Sequence, residues 1–188
     1  MTSVEAATAA FLKRAEKEGL IDVAYTTVDT PLGPLGVAAT AEGLVKVALH
    51  PDDEPFVEEL ASMVSPRVIE HPKRLDPIRK QLDQYFDGKR TTFALQIDWQ
   101  LCHGFRRMVL ETLFSQVHYG EVVSYGELAT RVGHPKASRA VGTAMATNPV
   151  PIVVPCHRVL RSGGAIGNYG GGVEMKRRLL THEGALLA

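Results

Sequence analysis

The chain is poor in cysteine, has no long apolar run and carries no net charge, and each shortage narrows what it can be. Its two cysteines, Cys102 and Cys156, are far apart in 188 residues. Two thiols make no disulfide framework, and without a CxxC or similar spacing no zinc site is expected. No apolar run approaches the roughly 20 residues of a membrane helix. Met1–Ala10 lacks the basic start and long apolar stretch of a secretory leader. These absences predict a soluble cytoplasmic protein with reduced thiols, no membrane contact and no metal. The zero net charge hides a split. Residues 1–100 hold 11 Lys/Arg against 16 Asp/Glu, and residues 101–188 hold 10 against 5. One half of the chain is therefore suited to a polyanion and the other is not, unless the clustering is plain solvated surface charge.

The length allows one large domain or two small ones, and the pattern favours two. Residues 2–18 read as an amphipathic helix, with Thr2 and Glu5 as a capping box and Gly19 as its stop. Ile21–Asp29, Leu35–Thr40 and Leu44–His50 read as strands, the last two joined at Glu42-Gly43. Helical spacing returns in Pro55–Met63 and Arg74–Phe86, and Phe93–Ile97 reads as a short strand. The character changes near Asp98–Leu101. Beyond it lie helices at Phe105–Val117, Ser124–Arg131, Ala137–Ala146 and Val173–His182. Ser124 and Glu127 form a second capping box, and Gly133-His134-Pro135 breaks two short helices as in a helix-turn-helix. Ile152–Val154 reads as a buried strand ending at Pro155-Cys156-His157-Arg158. A glycine-rich loop, Ser162 to Gly172, follows it. The expected fold is α+β: a small N-terminal α/β domain over residues 1–98, then a mainly helical domain over 99–188.

Cys156 beside His157 and Arg158 is either an activated nucleophile or a small buried hydrophobe. On an extended strand the two side chains would point apart, so a relay needs a bend or a bridging water. Glu183 is either the carboxylate that orients an imidazole or a surface acid near a chain end. Arg139 sits among Ala137, Ser138, Ala140, Gly142 and Thr143. So smooth a helix suits close approach to a minor groove, with one Arg inserted where a base has left the stack, or simply packing on a neighbouring helix. Glycines around Asn168-Tyr169 let backbone approach a flat ligand, but their setting is not a dinucleotide fingerprint.

Order and spacing add more than each feature alone. Asn148-Pro-Val-Pro-Ile-Val-Val-Pro-Cys156-His157-Arg158-Val159 resembles the active-site segment of the O6-alkylguanine-DNA alkyltransferases. The likeness takes in Val123-Ser124-Tyr125, Ala137 to Met145, Gly167-Asn-Tyr169 and Lys176 to Glu183. It spans residues 103–186. Thr30-Pro-Leu-Gly-Pro-Leu-Gly and Leu82-Asp-Gln-Tyr-Phe extend it more loosely into the first half, which the likeness makes ribonuclease-H-like.

The resemblance implies direct-reversal DNA repair. Cys156 accepts the alkyl group of an O6-alkylguanine irreversibly, once per molecule and without a cofactor, with O4-alkylthymine a second candidate substrate. It implies that His157 deprotonates Cys156 through a water, that Glu183 orients His157, and that Asn148 braces the preceding turn. Tyr125 would donate to N3 of the flipped guanine. Met145, Pro151, Val159, Tyr169, Gly170 and Lys176 would surround the base. Arg139, Ser124, Ala137, Ala140 and Gly142 would meet duplex DNA. Position 170 often carries a side chain in the family and is Gly170 here, which bears on loop stiffness. The implied protein is a monomer of the cytoplasm, or of the nucleoid in a bacterium. A helix-turn-helix binder without chemistry has no use for the thiol, and a cysteine hydrolase has none for the helix-turn-helix.

Overall fold

Short apolar strands, buried on both faces, build the first sheet. The computed structural model describes residues 3–51 and 56–186, and Thr2 of the expected first capping box lies outside them. Strands β1 (Val23–Val28), β2 (Leu35–Ala39) and β3 (Leu44–Ala48) form an antiparallel meander. Strand β4 (Val68–Glu70) joins β1 in parallel, giving the order β3-β2-β1-β4. Prolines on both sides of this three-residue strand conceal it in the sequence. Val23, Ala38, Val45 and Ala48 face Phe56 and Leu60 of helix α2 (Phe56–Met63) on one side of the sheet. Ala24, Val28, Val37 and Ala39 face Leu75, Ile78, Leu82 and Tyr85 of helix α3 (Pro72–Phe86) on the other. Strand period two and helix spacing together make this sandwich.

Helix α3 begins two residues before the expected Arg74, because Pro72 occupies the first turn and His71 Nδ1 accepts from the Arg74 N–H. Phe93–Ile97 is not a strand. Only Ile97 bridges to Leu44, and the Ala94 backbone is satisfied instead by both ends of the Gln81 amide. Helix α1 (Ser3–Lys17) forms but buries little. Ala15 is its buried contact, while Phe11 remains 59% exposed.

The second half carries helices α4 (Gly104–Gln116), α5 (Tyr125–Arg131), α6 (Ser138–Ala146) and α7 (Gly172–His182). Two-residue strands β5 (Val123–Ser124) and β6 (Val159–Leu160) pair in parallel. The second capping box is complete: Ser124 Oγ accepts from Glu127 N–H, and Glu127 Oε2 accepts from Ser124 N–H. Helices α5 and α6 form the expected helix-turn-helix. Ile152–Val154, however, is a turn and not a strand. The Val154 N–H closes onto the Val150 carbonyl at 2.9 Å, and Ile152 has φ +73°. That conformation is costly for a β-branched residue, on the order of 1–3 kcal/mol, and the surrounding contacts hold it. Among the described residues no helix is long and apolar enough to cross a membrane. Buried apolar side chains of both halves form one continuous cluster, in which Leu82 and Tyr85 join Val153, Val154 and Cys156.

Candidate active site

Asn148 governs the approach to Cys156. Its Oδ1 accepts from the Val150 N–H at 3.0 Å and its Nδ2 donates to the Val154 carbonyl at 2.8 Å, so one side chain grips both ends of the turn. From the neighbouring sheet, the Val47 N–H donates to the Pro149 carbonyl at 2.8 Å. The chain then enters a single tight helical turn, Cys156–Arg158. This turn supplies the bend that a strand would have lacked, and it sends His157 into the core.

His157 is fully buried and its Nε2 lies 3.0 Å from Glu183 Oε1. Glu183, the C-cap of α7, is buried as well. Arg158 Nε donates to its Oε2 at 2.8 Å, Arg158 Nη2 to its Oε1 at 2.9 Å, and the Tyr85 hydroxyl to the same Oε1 at 2.6 Å. Burial would raise the Glu183 carboxyl pKa, but bonds from His157 and Arg158, with their charges, hold it well below the ordinary range. Glu183 is therefore an anion that can only accept. Nε2 of His157 must carry the proton, and Nδ1 is left with a free lone pair. Burial, more than the opposing pull of Glu183, lowers the pKa of His157, so the imidazole is neutral at pH 7. Among the described residues Nδ1 has no hydrogen-bond partner. A neutral ring with an open lone pair, on the residue that follows the thiol, is a candidate base.

Cys156 is 7% exposed. Burial raises its pKa, while Asn148 and the positive charge of Lys176 pull it back. Lys176 is itself buried and donates to the Val159 carbonyl at 2.7 Å. Burial lowers its pKa to about 8 against the opposing pull of Cys156.

Cys156 forms part of the wall of a cavity of about 810 Å³, with Tyr125, Arg139, Gly142, Met145, Tyr169 and Gly170 also on its walls. Tyr125 is kept protonated by burial and by nearby Cys156, so its hydroxyl can donate. A Cβ on Gly142 would meet the Tyr125 ring at 3.9 Å, an ordinary van der Waals contact, so packing against Tyr125 does not by itself require the smooth face of α6. Arg139 is exposed at the cavity. The structure thus brings ten of the predicted residues to the cavity or to the buried relay behind it. The others lie elsewhere. Pro151 is buried and faces a separate cleft with Leu101 and Arg106. Val159 and Lys176 are buried beneath the cavity, not on its walls. Ser124 caps α5, Ala137 precedes α6, and Ala140 is exposed on α6.

Sequence reasoning missed Tyr85, whose place on the apolar face of α3 gave no sign of a polar partner 98 positions away. It offered Arg158 as a charge for Cys156, whereas the guanidinium turns to Glu183 and the Val117 carbonyl. It also passed over Arg161 and Asn168, which line the cavity. The position of Arg161 just before the glycine loop, and of Asn168 within it, was the available signal.

Two family models match the chain. "6-O-methylguanine DNA methyltransferase, ribonuclease-like domain" covers residues 23–99, and "6-O-methylguanine DNA methyltransferase, DNA binding domain" covers residues 104–185. The methylated-DNA--protein-cysteine methyltransferase of Rattus norvegicus is 41% identical over 171 residues, covering 85% of this chain and 81% of its own. The protein of the same name from Mycobacterium tuberculosis strain H37Rv is 37% identical over 159 residues, covering 85% and 91%. The crystal structure of Mycobacterium tuberculosis OGT in complex with DNA is similar with a TM-score of 0.74 at 36% identity, covering 86% of this chain and 93% of that one.

Proposed function

We propose, from the premise that this chain belongs to the 6-O-methylguanine DNA methyltransferase family, that residues 99–188 bind double-stranded DNA and take an alkyl group from O6 of guanine onto Cys156, with residues 1–98 as support. The observation that carries the reading is the buried Glu183–His157 pair next in the chain to Cys156, which itself lines a cavity shared with the smooth helix α6 and Arg139.

The target carbon is out of reach inside a stacked duplex, so the nucleotide must rotate out, at a cost of a few kcal/mol. The small residues of α6 let its backbone come close to the minor groove, and Arg139 fills the gap left in the stack. The Cys156 proton passes through a water to Nδ1 of His157, whose growing charge Glu183 stabilises. The thiolate attacks the alkyl carbon, a carbon–sulfur bond forms and the carbon–O6 bond breaks. The electron pair goes to the guanine, and the Tyr125 hydroxyl donates to its N3. The Gly170 N–H serves O6. The thioether has no leaving chemistry, so each molecule acts once, as a monomer and without a cofactor. Oxygen-linked alkyl groups on thymine are a secondary substrate of the same pocket.

The deciding experiment incubates the protein with a duplex holding one O6-methylguanine and measures intact and peptide mass. One methyl group on the Cys156 peptide, saturating at one per molecule, is the expected result. No mass gain by folded protein overturns the reading in favour of a lesion binder. Cys156→Ala loses transfer completely and keeps DNA binding.

A further inference from the structure

The Glu183 carboxylate receives four hydrogen bonds, and one comes from outside the C-terminal half. Arg158, one residue from His157 in sequence, takes both oxygens, and His157 takes Oε1. The fourth donor is the Tyr85 hydroxyl, at 2.6 Å the shortest of the set, on the same Oε1 that holds His157. Tyr85 is completely buried on α3. Phe93 packs at 5.3 Å and Tyr119 at 6.1 Å between ring centroids, and His182 edges it at 5.1 Å. Those contacts fix the ring, and with it the direction of the hydroxyl. Since Glu183 is an anion, Tyr85 can only donate to it.

We infer that Tyr85 is a positioning residue for alkyl transfer: from the N-terminal half it fixes Glu183 Oε1, and through it the tautomer and orientation of His157. The inference rests on the transferase reading above and deepens it, because it makes the support domain a contributor to the relay. A carboxylate with one donor fewer concentrates more of its charge on His157. The imidazolium is then favoured, and the neutral base is lost at a higher pH. The carboxylate also gains freedom to rotate away from Nε2.

The test compares the wild-type protein, Tyr85→Phe and Phe93→Leu. Tyr85→Phe keeps the ring and removes one oxygen, whereas Phe93→Leu disturbs the same aromatic cluster and leaves the hydroxyl in place. Second-order rate constants for transfer from O6-methylguanine duplex and from free O6-benzylguanine are measured across pH, per molecule competent to react, with melting temperatures alongside. The expected result is a loss of roughly tenfold for Tyr85→Phe at neutral pH on both substrates, with the acid limb moved to higher pH and the deficit shrinking as pH rises. Phe93→Leu lowers the melting temperature and leaves the limb in place. A wild-type rate and limb in Tyr85→Phe overturns the inference. So does a slowing with an unmoved limb that Phe93→Leu reproduces. Absence of transfer by the wild-type protein sinks the transferase reading itself, a failure the variants would not mimic.

Discussion

The two halves of the chain are built on different principles. The N-terminal half is a four-stranded sheet held between two helices, and the polar residues it buries, Thr26, His71 and Asp98, are not on the walls of the cavity. The C-terminal half buries a glutamate, an arginine, a histidine and a lysine. Each of these must be paired or shifted in pKa to be tolerated there. Yet the polar half is not held by its own residues alone. Val47 donates to the turn before Cys156, and Tyr85 to the carboxylate behind His157. The chemistry sits on one half and part of its precision comes from the other.

Glu183→Gln is expected to have the largest effect on stability. It leaves the Arg158 charge buried without its counter-ion, which costs ~3–5 kcal/mol, and it removes the anion that keeps Nδ1 of His157 free. The pH dependence has a definite sign. A carboxyl whose folded pKa is depressed contributes stability above its unfolded pKa and loses it as pH falls through the folded value. The gap between wild type and variant should stay constant from neutral pH down to about 5 and close below ~4, near the unfolded carboxyl. Denaturant titrations across that range measure it. A gap that closed near pH 6 would mean that His157, not Glu183, dominates the linkage.

Asn148→Ala comes next, at about 2 kcal/mol for two lost hydrogen bonds. The larger consequence is for Ile152, whose positive φ is held by that grip. Once released, the turn can shift Cys156, and transfer should slow by more than the lost stability alone explains. Crystal structures of the variant would show Ile152 at negative φ. An unchanged turn would mean that Val47 and the second half's own packing suffice.

These two sites also mark what the sequence could and could not disclose. Composition and bounding turns found the three long strands, which are covered on both faces by α2 and α3, and apolar spacing found the helices. These signals failed where backbone groups are satisfied by other means. Phe93–Ile97 has the composition of a strand, but the Gln81 amide takes the hydrogen bonds of Ala94 and only Ile97 bridges to Leu44. Ile152–Val154 has three β-branched residues, but Asn148 folds them into a turn. Asn148, Cys156 and His157 could be read as candidates because they share one segment, from Asn148 to Val159, that resembles a known family. The burial of Glu183 was not legible. A glutamate near a chain end reads as surface until the fold brings Tyr85, Arg158 and His157 around it.

Lys176→Met tests a subtler polar contribution. The buried ammonium lowers the thiol pKa of Cys156, and a change of one pKa unit is tenfold in thiolate. Capture of Cys156 by iodoacetamide at pH 7 should slow by roughly three- to tenfold. The difference should narrow above pH 8, because wild-type Lys176 loses its own proton near there. The stability linkage has the matching sign. A lysine with a depressed folded pKa is a burden below about 8, and that burden lifts between 8 and the unfolded value, so the wild type gains on the variant over that interval. A constant rate ratio from pH 6 to 10 would separate the lysine from the thiol.

Arg178→Ala is expected to do least, and that gives it its use. The Arg178 guanidinium also crosses between the halves, donating to the Pro31 carbonyl, but from an exposed position. Water can replace it, so its removal should cost no more than ~0.5 kcal/mol and leave the transfer rate unchanged. Tyr85 and Arg178 are both bridges between the same two halves. They differ in burial and in what they touch, a relay carboxylate in one case and a turn carbonyl in the other. If Arg178→Ala slowed transfer as much as Tyr85→Phe, the rate would be reporting how tightly the halves dock, and the Tyr85 hydroxyl would lose its special claim. If only Tyr85→Phe slows it, docking is not limiting, and the Tyr85 hydroxyl acts on the chemistry apart from how tightly the halves dock.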